Sequence, residues 1–206
     1  MHRFKTAQEA FEFYYYEIKR VGLTKPDSKF LNNVGFYIDE PGNNEISTPY
    51  RKWSLRYAAR EWKWYLSKNR KVTELKKFAP IWDKMHNGND IVNSNYGYQW
   101  SRNGQLLRVA EMLIKDQNTR RAVLTIYDGK EISEYAKDTP CTLNITFNIY
   151  DNKLNMSVMM RSNDLWFGFC NDQYCFSMLQ AEVARLIGLV PGWYYDLHLY
   201  NEQLKK

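Results

Sequence analysis

Thr142-Leu143-Asn144-Ile145-Thr146-Phe147-Asn148-Ile149-Tyr150-Asp151-Asn152-Lys153-Leu154-Asn155-Met156-Ser157-Val158-Met159-Met160 is the stretch whose reading decides the fold. Leu143, Ile145, Phe147 and Ile149 alternate with polar residues, the period of a strand with one buried face. Asp151-Asn152-Lys153 supplies turn chemistry and Leu154 to Met160 run back, so the segment predicts an antiparallel hairpin. Toward the C-terminus the pattern predicts a long helix from Asn171 to Ile187. Gly188, Pro191 and Gly192 then lead into a last strand, Trp193 to Tyr200. Upstream, Arg121 to Tyr127 is a β-rich run, and Gln105–Lys115 and Trp53–Leu66 have helical spacing. Thr6 to Val21 opens with Thr-x-x-Glu and spaces Ala10, Phe11, Tyr14, Tyr15 and Ile18 for one helix face. Residues 22–51 are turn-rich, with one strand at Val34 to Ile38. Helices together with adjacent antiparallel strands predict the α+β class. No repeat or low-complexity linker divides residues 1–206, so a single domain is expected.

The chain is 44% hydrophobic and 25% charged, the composition of a globular protein rather than a disordered or fibrous one. Its net charge of +6 implies an anionic partner: nucleic acid, a membrane surface or a phosphorylated small molecule. No nucleic-acid-binding signature is present, so direct DNA binding is not expected. The N-terminus lacks the apolar core of a signal peptide and no apolar run approaches bilayer length, so no membrane association is expected. Three cysteines without paired spacing argue for a reducing compartment, and the reading is cytoplasmic. Cys170 and Cys175 fall in the long helix as packing residues.

Cys141 follows Pro140 at the mouth of the first hairpin strand. A thiolate needs a nearby cation to lower its pKa, and Arg120, Arg121 and Arg161 lie on strand ends able to converge on it. Arginines in such a cluster also bind phosphate. The run from Met160 to Asp172 joins strand to helix through polar and glycine residues, a common place for a site. Asp164 or Asn171 would serve there as a helix cap.

Arg161-Ser162-x-Asp164, Gly168, Pro140-Cys141, Arg120-Arg121 and the ending Asp196-Leu197-His198-Leu199-Tyr200 together resemble the thymidylate synthase family. Glu61-Trp62-Lys63-Trp64-Tyr65-Leu66, Ile81-Trp82-Asp83, Asn95-Tyr96-Gly97 and Gln99-Trp100 extend the resemblance, in order, from about residue 53 to residue 201. Met160-Arg161-Ser162-Asn163-Asp164 and Asn93-Ser94-Asn95-Tyr96-Gly97 resemble most the phage deoxycytidylate hydroxymethylases within it. The resemblance implies a mixed or antiparallel sheet packed with helices, dimerising through the sheet. It implies Cys141 as the nucleophile toward pyrimidine carbon 6, Glu61 as general acid and base, and Tyr96 as support near the nucleophile. Arg161 and Ser162 would hold the 5′-phosphate, joined by Arg120 and Arg121 of a second subunit in a homodimer with shared sites. His198 and Tyr200 would hold the sugar, and Trp82, Asp164 and Gly168 would contact methylenetetrahydrofolate, the co-substrate; no metal is implied. A phage-encoded enzyme would work in the host cytoplasm.

Position 172 discriminates the base. Synthases place asparagine there, donating to uracil O4 and accepting from N3–H, whereas Asp172 as a carboxylate only accepts and so favours the cytosine amino group. A one-residue shift would present Asn171 instead and make uracil the substrate. Thr142 stands where synthases commonly have histidine, and Met160 where they have glutamine. No N-terminal phosphate-binding arginine loop is recognisable, leaving Arg51 or Arg56 to substitute. The sequence ends at Lys206, six residues after Tyr200, without the family's closing tail, which favours water over hydride as the final partner. The expected reaction is 5-hydroxymethylation of deoxycytidylate. Its alternatives are a uracil-directed hydroxymethylase or synthase, a deoxycytidylate methyltransferase, and a nucleotide- or RNA-binding relic of the fold.

Overall fold

In a computed structural model, Asp151 and Asn152 both take positive φ, 53° and 54°, and Tyr150 pairs with Lys153. That is the two-residue turn whose twist matches the flanking strands. The structure describes residues 1–135 and 137–200, and of residue 134 and residues 197–200 the backbone alone. In chain order the elements are β1 (His2–Phe4), α1 (Ala7–Val21), β2 (Leu23–Lys25), β3 (Ser28–Phe30), β4 (Val34–Ile38) and α2 (Leu55–Ser67). There follow α3 (Trp82–Met85), α4 (Tyr96–Ser101), α5 (Gln105–Lys115), β5 (Val123–Thr125), β6 (Thr142–Tyr150), β7 (Lys153–Asn163), α6 (Cys170–Leu186) and β8 (Val190–Tyr200).

Six strands form one sheet in the order β1-β4-β8-β7-β6-β5, parallel at β1–β4 and β7–β8 and antiparallel elsewhere. The α+β, mixed-sheet expectation holds. Leu154, Met156, Val158 and Met160 of β7 are buried, as are Ile145 and Phe147 of β6 and Val34, Phe36 and Ile38 of β4. α6 covers this face, burying Cys170, Cys175, Phe176, Leu179 and Val183 and confirming the packing role of both cysteines. The other face carries Tyr37 in ring contact with Trp193 and with Tyr195, and Met159 is exposed. A bulge between Thr142 and Asn144 breaks the expected alternation, so Thr142 is buried and Leu143 only half-buried.

The capping box at α1 is displaced by one residue. Thr6 accepts from Glu9 N, but Glu9 reaches back to the backbone N–H of Lys5 rather than of Thr6. α4 lies hard against α2: a Cβ on Gly97 would sit 1.7 Å from the Tyr65 carbonyl oxygen, so only glycine permits the approach. Asn95 caps α4 by accepting from Tyr98 N and donates to the Trp64 and Asn69 carbonyls, pinning it to the end of α2. Among the described residues no helix is long and apolar enough to cross a membrane.

Candidate functional site

α2, the α3 region, α4, the Pro140–Cys141 approach to β6 and the β7–α6 junction surround a cavity of about 540 Å³. Its lining includes the apolar side chains of Phe78, Ile81, Trp82, Met85 and Phe167 together with Glu61, Tyr96, Cys141, Asn163 and Asp172. Of the residues expected from sequence, Cys141, Glu61, Tyr96, Asp172, Trp82, Asp164 and Gly168 all line it.

Tyr57, Glu61 and Tyr65 are four residues apart on α2 and so share one face. Tyr65 donates to Glu61 Oε1 at 3.1 Å, Tyr57 is also hydrogen-bonded to Glu61, and Trp82 Nε1 donates to the Tyr57 hydroxyl at 2.9 Å. Burial raises the Glu61 pKa to about 7 against these two hydrogen bonds, which suits a proton carrier near neutrality. The protonated form is the one the fold favours. The stabilisation is therefore complete below the ordinary value of 4.5 and is lost as pH rises through about 7. Glu61→Gln is accordingly expected to melt close to the parent at pH 4 and to exceed it above pH 7, by up to about 3 kcal/mol. Turnover should fall by roughly 10²–10⁴-fold. Equal melting temperatures across pH 4–9 would refute the buried ionisation.

Cys141 is fixed through its backbone. Its N–H donates to the Tyr96 hydroxyl at 3.3 Å and its carbonyl accepts from Arg161 N at 2.8 Å. The Arg161 guanidinium donates to the Pro140 and Thr139 carbonyls at 3.1 and 3.0 Å and lies 3.8 Å from Cys141 Sγ. Burial lifts the thiol to about 11, opposed by Arg161 and reinforced by Asp172, Asp138 and Asp164. The expected convergence of arginines on the thiol is thus met by Arg161 alone. Arg120 and Arg121 are exposed and outside the cavity of the single chain, and Ser162 is half-buried beside Arg161 without lining it. Of the two substitute arginines, Arg51 lines the cavity and donates to the Trp166 carbonyl at 2.6 Å, whereas Arg56 is exposed and outside it. The side chains of His198 and Tyr200 lie outside the described residues; their backbones pair with Met160 and Asn163 at the end of β7.

Between β7 and α6 the chain makes a π-helical turn, Leu165–Phe169. Phe169 N donates to the Asp164 carbonyl at 2.7 Å and Phe167 N to the Asp164 carboxylate at 2.6 Å, so Asp164 is the cap of this turn. Asn171 accepts from Trp53 Nε1 at 2.9 Å and donates to the Phe167 carbonyl at 3.1 Å, which commits its amide to the protein. Asp172 is hydrogen-bonded to Asn163. Burial, then repulsion from Glu61 and Asp196, hold the Asp172 carboxyl protonated well above the usual carboxylate range. In its protonated form the carboxyl both donates and accepts, whereas the acceptor-only argument holds for the ionised form.

The sequence reading missed Tyr57, Tyr65, Asn163 and Asp138. Asp138 accepts from Asn93 N at 2.5 Å and from Ser94 N and Oγ at 2.7 and 2.5 Å, tying the loop before Tyr96 to the one before Cys141. The four-residue spacing of the two tyrosines from Glu61 was a visible signal; Asp138, 45 residues from Asn93, had none.

Residues 36–206 match the thymidylate synthase family model. A deoxyuridylate hydroxymethyltransferase of Delftia phage PhiW-14 is 30% identical over 191 residues, covering 84% of this chain and 54% of the relative. One of Pseudomonas phage M6 is 29% identical over 223 residues, covering 98% and 62%. The chain thus spans between about half and three fifths of the length of these relatives, and its last residue says nothing about a closing tail.

Proposed function

We propose that this chain, which belongs to the thymidylate synthase family, transfers a one-carbon unit to carbon 5 of a pyrimidine deoxynucleoside monophosphate and that deoxycytidylate is its substrate. The observation that carries this is the meeting of Cys141, Glu61 and Asp172 on one cavity that apolar side chains also line. The volume and the aromatic lining suit two flat rings, a pyrimidine and a pterin. Methylenetetrahydrofolate supplies a carbon at the oxidation level of formaldehyde; Trp82, Asp164 and Gly168 are the residues proposed to hold it.

Cys141 Sγ adds to carbon 6, which moves electron density to carbon 5 for bond formation and returns when sulfur leaves. The carbon 5 proton is lost in the same cycle. Glu61 carries a proton near neutrality and serves the water that becomes the new hydroxyl. Net, deoxycytidylate, methylenetetrahydrofolate and water give 5-hydroxymethyldeoxycytidylate and tetrahydrofolate. Arg161 and Ser162 receive the 5′-phosphate, His198 and Tyr200 the sugar. A partner copy supplies Arg120 and Arg121 by packing on the open sheet face of Tyr37, Trp193 and Tyr195.

A second reading, uracil in place of cytosine, is favoured by the names of the two phage relatives. Those names also favour the hydroxymethyl over the methyl product. The deciding assay supplies methylenetetrahydrofolate with [5-³H]dCMP or [5-³H]dUMP, follows tritium release and weighs the product. Release from dCMP with a product heavier by one hydroxymethyl group is expected. Release from dUMP alone would replace the first reading by the second, and none from either would end both.

A further inference from the structure

We infer that Asn163 is a second specificity-determining residue, which acts through Asp172 by fixing how that carboxyl presents itself to the base. The inference rests on the proposed nucleotide site and deepens it. Asn163 is the last residue of β7, only 2% exposed, and lines the cavity. A Cβ on Gly168 would lie 2.2 Å from Asn163 Oδ1 and 3.3 Å from Asp172 Oδ2, so the amide and the carboxyl crowd the space that the missing side chain leaves. The Asn163 Nδ2 group has two protons. One is directed at the Met160 thioether at 3.4 Å, a weak acceptor, and the amide also bonds the Asp172 carboxyl.

A protonated carboxyl that nothing orients can carry its proton on either oxygen and fits either base. Toward cytosine it accepts from the exocyclic amino group and donates to N3; toward uracil it donates to O4 and accepts from N3–H. A donated hydrogen bond from Asn163 makes one oxygen the poorer seat for the proton and sends the proton to the other. The donor and acceptor order then matches only one base. In the cytosine reading, the oxygen that Asn163 engages is the one that takes the amino proton. Asn163 also favours the ionised form, which repels uracil O4. Its loss therefore weakens cytosine preference by either route.

The test is the ratio of dissociation constants for dCMP and dUMP, measured by titration calorimetry on the full chain and on Asn163→Leu and Asn163→Ala. The first keeps the shape without the donor; the second serves if the first does not fold. Both are checked by circular dichroism, with 2-deoxyribose 5-phosphate as a ligand that lacks the base. The dCMP preference is expected to fall roughly tenfold, the effect of one hydrogen bond to a charged or strongly polar group, with sugar phosphate binding unchanged. Asn163→Ser, which retains a donor, should recover part of it. A ratio within twofold of the parent in a folded variant overturns the inference, as do equal losses for both nucleotides or a parent that does not discriminate. Binding that discriminates without tritium release would end the enzyme reading and leave the role of Asn163 supported.

Discussion

Cys141→Ser is expected to lower turnover by at least about 10³-fold, roughly 4 kcal/mol of barrier, and to leave nucleotide affinity within about threefold. A serine hydroxyl is a far weaker nucleophile than sulfur toward carbon 6, and Arg161, 3.8 Å from the Cys141 sulfur, is a permanent cation that cannot take its proton. Binding should survive because the backbone of residue 141 makes the contacts that order the site, to Tyr96 and to Arg161 N, and these do not depend on the side chain. The thiol at about 11 adds a consequence. In the single chain burial outweighs the pull of Arg161, so addition is expected to require removal of the sulfur proton. Mass spectrometry of the denatured enzyme after a single turnover should find a nucleotide adduct on Cys141 in the parent and none in the variant. Turnover within tenfold of the parent would remove Cys141 from the chemistry.

The parts of this fold that were legible in the sequence are those whose pattern is local. β4, β6 and α5 fall on the expected residues, and α1, α2 and α6 within two residues of them. Each has a strong period of its own and a polar boundary at one end. β1 was not legible: three residues at the chain start pair with β4 more than thirty residues later, and three residues carry no period. The π turn was hidden differently. Leu165 to Phe169 carries no residue pattern that marks its widened hydrogen bond, from Phe169 N to the Asp164 carbonyl.

The site divides along the same line. Cys141, Glu61 and Asp172 could be named because each stands in a short phrase that resembles the thymidylate synthase family. What sets their proton affinities could not be named, because it comes from burial and from groups distant in sequence. Glu61 is hydrogen-bonded by Tyr57 and Tyr65, to which the sequence assigned no role, and Trp82, expected against the folate, donates to Tyr57. Asp172 reads as an acceptor from its formula and as a donor and acceptor from its surroundings. The sequence argument for cytosine took that carboxyl as ionised, and burial raises its affinity for a proton.

Asp172→Asn therefore tests the base more sharply than any comparison of names. Asparagine cannot exchange donor and acceptor by moving a proton. With its amide nitrogen toward O4 and its oxygen toward N3–H it complements uracil, and held in that orientation it sets amide protons against the amino protons of cytosine. If Asp172 selects cytosine, the substitution should shift the ratio of kcat/KM toward dUMP by at least about 10²-fold, since two mismatched buried hydrogen bonds act together. Tritium release from the two labelled nucleotides measures it directly. If the parent already prefers dUMP, its protonated carboxyl is imitating asparagine; the variant then keeps its dUMP activity and loses only the remaining dCMP turnover. A ratio that does not move would place residue 172 away from the base. Asn171 would not replace it as the reader, because Trp53 and the Phe167 carbonyl already hold its amide.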